Sequence, residues 1–303
     1  MRVGYVLPMG DDRDEGVPAT GREIVAAARE LEDGGFDSLW VFDHLLMQSP
    51  GEEPQATWES WTLLAALAAT TGRATLGTIV TCAGFRPPGL LAKMAHTVHE
   101  MSGGRLLLGL GAGWHEPEYA AFGYPFDHRF SRFDEAFAII TAMLREGRST
   151  FSGRYHTTVD APLLPAPTLP PPPIMLGTHG PKMLALTARY ADAYNTAWHG
   201  LPGDRFFGVR ERLMEALTAA DRDPATLRLT VGMMLRPDDA EADAPGVACE
   251  PDTIAAALSA WEAEGVDEVV VWAYKCSNDR ARRATEGLNR YRAGTASDLQ
   301  HAR

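Results

Sequence analysis

Eight short runs that are apolar along nearly their whole length, each trailed by a segment with helical spacing, constrain this 303-residue chain more than any other feature. The runs fall at 3–7, 38–42, 75–80, 105–110, 174–176, 193–196, 229–234 and 268–272. The helical segments fall at 20–33, 57–71, 88–101, 130–147, 181–191, 204–221, 251–265 and 278–291. In the first, Ile24, Val25, Ala28 and Leu31 share a face; in the third, Leu91, Met94, Val98 and Met101 do. The second carries Trp58, Trp61, Leu64, Ala65 and Ala68. Strands apolar on both faces are covered on both faces, as in a parallel sheet. Eight such strands alternating with helices predict a (β/α)8 barrel, the TIM-barrel class of α/β fold.

One connection departs from the repeat. Residues 114–173, between strands four and five, hold a helix near 130–147, a hairpin around 151–155 and a proline-rich run at 162–173. An excursion of that length in a compact domain is usually functional. The expected organisation is one barrel domain over 1–292 with this insertion, followed by a frayed tail at 293–303. The acidic stretch 238–243 reads as a solvated loop.

Charge and cysteine usage exclude several function classes. The net charge of −12 leaves no electrostatic footprint for nucleic acid or an anionic membrane surface. The apolar start at 3–7 is too short for a signal peptide, and no apolar window approaches the ~18 residues of a membrane span. Cys82, Cys249 and Cys276 are scattered and read as reduced thiols of a cytoplasmic protein. Hydrolase and nucleotide-binding motifs of the GxSxG, P-loop and HExxH kinds are absent from the sequence.

The groups that could carry chemistry cluster where strands end. Strand two delivers Asp43 and His44 at its C-terminal end, the catalytic side of a barrel. One could hold a cofactor edge while the other faces substrate; a solvent-facing Asp with a capping His is the competing reading. After strand four, Ala112, Gly113 and Trp114 follow Gly109 and Gly111, where glycines let the backbone approach a flat ring closely or simply make a tight turn. After strand five, Gly177, Thr178, His179, Gly180 and Lys182 lead into a helix opening with Pro181, a place suited to an anion such as phosphate or to an ordinary βα turn. His96, His99 and Glu100 lie on an outer helix and read as a solvated face rather than a metal site. Trp198, His199, Trp272 and Tyr274 stand at the level of a pocket or of barrel-top packing.

Taken in order, these stretches resemble the luciferase-like flavin monooxygenase and deazaflavin-dependent oxidoreductase superfamily. The resemblance rests on the Asp43–His44 strand, on residues 76–82, on 102–105 continuing to Gly113 and Trp114, and on 174–182 continuing to Tyr190, Ala191 and Asp192. It covers roughly residues 1–200. The Asp–His pair is similar to the branch using coenzyme F-420. There the Asp position contacts the cofactor ring and the His position is an acid or base near substrate. The resemblance further implies a non-prolyl cis peptide near Ile79 and Val80, forming a bulge behind the ring, and a phosphate loop at Gly177, Thr178 and Lys182.

Sugar-phosphate dehydrogenases of this branch carry a catalytic Glu where this chain has Trp114, which argues against a sugar-phosphate substrate. The implied activity is hydride transfer between C5 of F-420 and a small molecule with an activated C=C, C=N or alcohol/carbonyl group. The alternative is an FMN-dependent monooxygenase fed reduced flavin by a separate reductase; a third is a barrel that has lost catalysis. A homodimer is expected.

Overall fold

The computed structural model describes residues 1–10, 18–48, 51, 53–237, 240–241, 244–273 and 278–301. Tyr274, Cys276, Asp238, Asp239, Ala242, Asp243 and the last two residues lie outside these. Eight strands follow the expected order: Arg2–Val6, Ser38–Val41, Thr75–Thr78, Leu106–Gly111, Ile174–Gly177, Ala193–His199, Arg228–Arg236 and Glu268–Ala273. The element order is that of a (β/α)8 barrel.

The chain forms two compact units, Met1–Trp40 with Thr178–Arg303, and Val41–Gly177. In the first, the eighth strand pairs in parallel with the first and the seventh, the first also with the second, and the seventh also with the sixth. A short strand, Val247–Ala248, joins the end of the seventh. In the second unit, the fourth strand pairs in parallel with the third and the fifth.

Local chemistry sets where the elements begin. Thr20 and Glu23 form a capping box that starts the helix Gly21–Asp33. Glu59 caps Ser60–Thr70 by accepting from the backbone N–H groups of Trp61 and Thr62. That helix therefore starts later than its apolar spacing suggests, and Trp58, expected on its buried face, is exposed. Pro88 opens the helix Pro88–Met101 as the periodicity predicts, although Met101 ends up exposed rather than in the core. The helices Pro181–Tyr190, Asp204–Ala219 and Pro251–Ala263 match their spacing.

Strand three is shorter than its apolar run. It stops at Thr78, the Ile79–Val80 peptide is cis, and Thr81–Cys82 resumes pairing beside Leu110 and Gly111. The neck of this excursion is tied by a 2.7 Å bond between the Thr78 and Thr81 hydroxyls, with Thr78 also bonded to the Gly109 carbonyl.

The insertion contains the expected helix, Arg129–Glu146, and a hairpin of Arg148–Ser152 with Thr157–Pro162. Glu135 holds the hairpin turn by accepting the N–H groups of Arg154, Tyr155 and His156. A further helix, Glu116–Phe122, was hidden from periodicity by its seven-residue length.

Two expectations change. His96 and His99 are buried rather than solvated, because the proline-rich run lies over them: their Nε2 atoms meet the carbonyls of Pro165 and Pro170, and Glu100 accepts from Thr168. The last helix, Asn278–His301, continues through residues expected to fray, with Thr295 back-bonded to the Tyr291 and Arg292 carbonyls. Among the described residues, no helix is long and apolar enough to cross a membrane.

Arg105 explains the turn Ser102-Gly103-Gly104-Arg105. Its Nε donates to the Ser102 carbonyl, Nη1 to the Thr71 hydroxyl and the Ala74 carbonyl, and Nη2 to the carbonyls of Ala68 and Thr71. One guanidinium thus satisfies the C-terminal ends of two helices, which a point-charged ammonium could not do. Arg105→Lys is expected to lower the unfolding free energy by about 2–4 kcal/mol in urea denaturation. A loss under about 0.5 kcal/mol, the ordinary range for a surface change, would contradict this role.

Candidate active site

A dense polar cluster lies in the second unit, built around the residues that follow strands two, three and four. Asp43 follows Ser38–Val41 and is buried. Its Oδ1 accepts from the Ser60 hydroxyl at 2.6 Å and Arg86 Nη2 at 2.8 Å; its Oδ2 accepts from Cys82 N–H at 2.9 Å and Arg86 Nη1 at 2.8 Å. Arg86 Nη2 also bonds Glu59 at 2.6 Å. Burial opposes the charge on Arg86, but the Asp43 and Glu59 carboxylates outweigh it and raise its pKa. All four acceptor positions on Asp43 are therefore filled. The expected contact of Asp43 with a cofactor ring finds no free lone pair, and the carboxylate instead fastens strand two to the turn after strand three.

The adjacent His44 points elsewhere. Its Nδ1 lies 3.0 Å from Glu118 Oε1, while Glu118 Oε2 accepts the Leu45 N–H at 2.8 Å. An ionised carboxylate only accepts, so Nδ1 carries the proton and donates it to Glu118. Nε2 then presents its lone pair, and it meets no partner among the described residues. The imidazole sits among aromatic rings: Trp114 at 5.6 Å, His115 at 6.1 Å and Phe42 at 6.4 Å between centroids. His115 is buried, and its Nε2 accepts the Gln48 N–H at 3.1 Å. Burial pushes the His115 pKa down against the pull of Glu118.

Glycines shape the backbone at the ends of strands four and five. A Cβ on Gly111 would lie 2.7 Å from Val80 Cγ2, and one on Gly177 would lie 2.9 Å from Val80 Cγ1. The half-exposed Val80 side chain thus occupies space that only two glycines leave open. Gly113, at φ 75°, is held from below: a Cβ there would strike the Tyr119 hydroxyl and Cys82 Sγ. Tyr119 donates to the Ala112 carbonyl at 3.2 Å and meets Cys82 Sγ at 2.9 Å. Burial raises both pKa values, that of Cys82 to about 12, so both stay protonated at neutral pH. Trp114 follows directly, with 63% of its surface exposed.

The glycine-rich loop belongs mostly to the first unit. Thr178 Oγ1 accepts the Gly180 N–H at 3.3 Å, and the helix Pro181–Tyr190 starts without a side-chain cap. His179, Gly180 and Lys182 are exposed. Uncapped N–H groups at a helix start suit an anion. Burial, then the charges of Arg205 and Arg212, lowers the His179 pKa.

His199 ends the sixth strand buried against Trp261 and Phe206, with Nε2 at 3.0 Å from the Thr196 hydroxyl. Burial, with Arg205 and His179 adding, pushes its pKa down to about 4. Trp198 and Trp272 pack together at 5.0 Å. The Ala197–Trp198 peptide is also cis, and Arg205 donates to both carbonyls; nothing in the sequence marked this.

The sequence singled out His44, Val80 and the glycine loops; Glu118 and Arg86, which bond His44 and Asp43, were not among its candidates. Glu118 lies on the short helix that periodicity did not reveal. Arg86 is the one cation in the apolar stretch 79–92, a signal that a buried counter-charge was required.

His115, His199 and His99 all have lowered folded-state pKa values, so each stabilises the fold fully above the ordinary histidine range near 6.5. That contribution is lost as pH falls through the folded values, toward about 4 for His199. Urea denaturation is expected to give a stability flat from pH 8 to about 6.5 and declining to pH 4.5; a rise on acidification would contradict the neutral assignments.

A profile of the luciferase-like monooxygenase family matches residues 1–302. A phthiodiolone/phenolphthiodiolone dimycocerosates ketoreductase from Mycobacterium tuberculosis is 31% identical over 299 residues, covering 88% of this chain and 74% of that protein. An F-420-dependent hydroxymycolic acid dehydrogenase from the same species is 31% identical over 209 residues, covering 67% of this chain and 56% of that protein. Among solved structures, an F-420-dependent secondary alcohol dehydrogenase with an F-420–acetone adduct aligns with TM-score 0.76 at 18% identity, covering 94% of this chain and 97% of that one. A coenzyme F-420-dependent tetrahydromethanopterin reductase from Methanopyrus kandleri aligns at 0.74 and 18%, covering 94% and 96%. These likenesses confirm the (β/α)8 barrel fold.

Proposed function

Because the chain belongs to the luciferase-like monooxygenase family, we propose that it is a coenzyme F-420-dependent oxidoreductase acting on an alcohol/carbonyl pair. The carrying observation is His44, which donates through Nδ1 to Glu118 and leaves Nε2 open at the end of a strand. The names of the relatives, a ketoreductase and two F-420-dependent dehydrogenases, support the same chemistry.

The residues present fit a flat cofactor. The Val80 methyls pack where Gly111 and Gly177 lack side chains, so a larger residue at either glycine would displace Val80 from the place the family resemblance gives it behind the ring. By the family resemblance, Ile79, Ala112, Gly113 and Trp114 would belong to the same cofactor contacts. In the first unit, the uncapped helix start with Thr178, His179, Gly180 and Lys182, just after Gly177, suits an anion such as a phosphate. When bound, F-420 would supply a two-electron hydride carrier at C5 of its ring.

The protein's own task is then the proton. In the oxidative direction, Nε2 of neutral His44 takes the hydroxyl proton of a secondary alcohol as its carbon gives up hydride. In the reductive direction, protonated His44 returns that proton to the carbonyl oxygen. Glu118 fixes the tautomer and stabilises the imidazolium. Asp43 acts as a positioning residue through Arg86. Activated C=C and C=N groups would need the same proton from the same atom. The reading extends to one catalytic domain over 1–292, a cytoplasmic homodimer, and a separate enzyme supplying reduced cofactor.

Fluorescence titration against F-420 and FMN tests the cofactor. F-420 is expected to bind at least tenfold more tightly, and His44→Asn is expected to lower kcat for alcohol oxidation by about 10²–10⁴ with F-420 affinity kept. Preferential FMN binding with oxygen consumption would replace this reading with a monooxygenase. Binding of neither would leave no enzyme reading standing.

A further inference from the structure

We infer that the Trp114 side chain is the specificity-determining wall of this site, and that it selects an uncharged ketone or secondary alcohol with an apolar chain. The inference rests on the oxidoreductase reading and adds the substrate class. Trp114 is the largest side chain beside His44, edge-to-face with it at 5.6 Å and 81°, yet most of its surface has no covering in its own unit. Its backbone is fixed, since Gly113 just before it is wedged over Tyr119 and Cys82. An exposed indole on a rigid loop is a preorganised apolar surface with little ordering cost on binding.

The charges around His44 point the same way. The Arg86 guanidinium is consumed by two bonds to Asp43 and one to Glu59. Arg129 lies over the Phe126 ring at 4.1 Å and donates to the Gly113 carbonyl. The buried charge that touches His44 is the Glu118 carboxylate. A substrate chain that ends in carboxylate would set that charge against the rings of Trp114 and Phe42 at the cost of its hydration. A hydrocarbon chain loses nothing there.

The test compares matched ketones, 2-butanone, 2-hexanone and 2-octanone, with 7-oxo-octanoate, in holoenzyme turnover with reduced F-420. Wild type is expected to gain about threefold in kcat/KM per added methylene and to prefer 2-octanone over 7-oxo-octanoate by at least tenfold. In Trp114→Ala the gain per methylene should fall below about 1.5-fold, through KM, while Trp114→Phe should keep part of it. An unchanged chain-length dependence in Trp114→Ala, or equal use of 7-oxo-octanoate, would overturn the inference.

Binding of the same ketones to protein loaded with oxidised F-420, followed by calorimetry, separates the two readings. Tight 2-octanone binding that Trp114→Ala loses, with no turnover, would support the apolar wall and sink the oxidoreductase function. No 2-octanone binding would overturn the wall itself.

Discussion

The bidentate ion pair between Asp43 and Arg86 is the constraint on which this site depends. Both partners are largely out of water, so the pair is costly to form and costlier to break: removing one charge would strand the other at about 3–5 kcal/mol. Its value is positional. It ties the end of strand two to the turn after strand three, and through Cys82 N–H and Ser60 it fixes two further segments. With Asp43 held inward, the adjacent His44 is directed instead to Glu118 and the rings of Trp114 and His115. The chemistry of one residue follows from the burial of its neighbour.

A second consequence concerns the imidazole. Glu118 spends one oxygen on the Leu45 backbone and the other on His44, so the carboxylate grips the strand end and the ring together. The ring is held by hydrogen bonds on one side and by aromatic edges around it. Cys82 and Tyr119 keep their protons and serve as a buried prop under the Ala112–Gly113 turn. Polar groups here support a shape rather than reacting.

Much of the fold was legible because eight strands are apolar on both faces, a pattern few topologies satisfy. The bulge at Ile79 and Val80 was placed correctly by resemblance, and the hairpin and long helix of the insertion by turn signals and period. What escaped followed from tertiary contacts. Trp58 reads as helical until Glu59 caps the helix after it. His96 and His99 read as solvated until the proline-rich run covers them. Asp43 reads as a ligand for cofactor because its partner Arg86 lies 43 positions away, beyond any local pattern. Glu118 sits on a helix too short to show a period, so the group that orients His44 left only a lone acidic residue as its trace.

The most direct measurement is the protonation state of the two His44 ring nitrogens, read by nitrogen-15 NMR in histidine-labelled protein at pH 8. A proton on Nδ1 with an unprotonated, pyridine-like Nε2, reverting toward a tautomer mixture in Glu118→Gln, is the predicted result. A proton on Nε2 in the wild type would contradict it, because that nitrogen could then take no proton from an alcohol and Glu118 would face a lone pair instead of a donor.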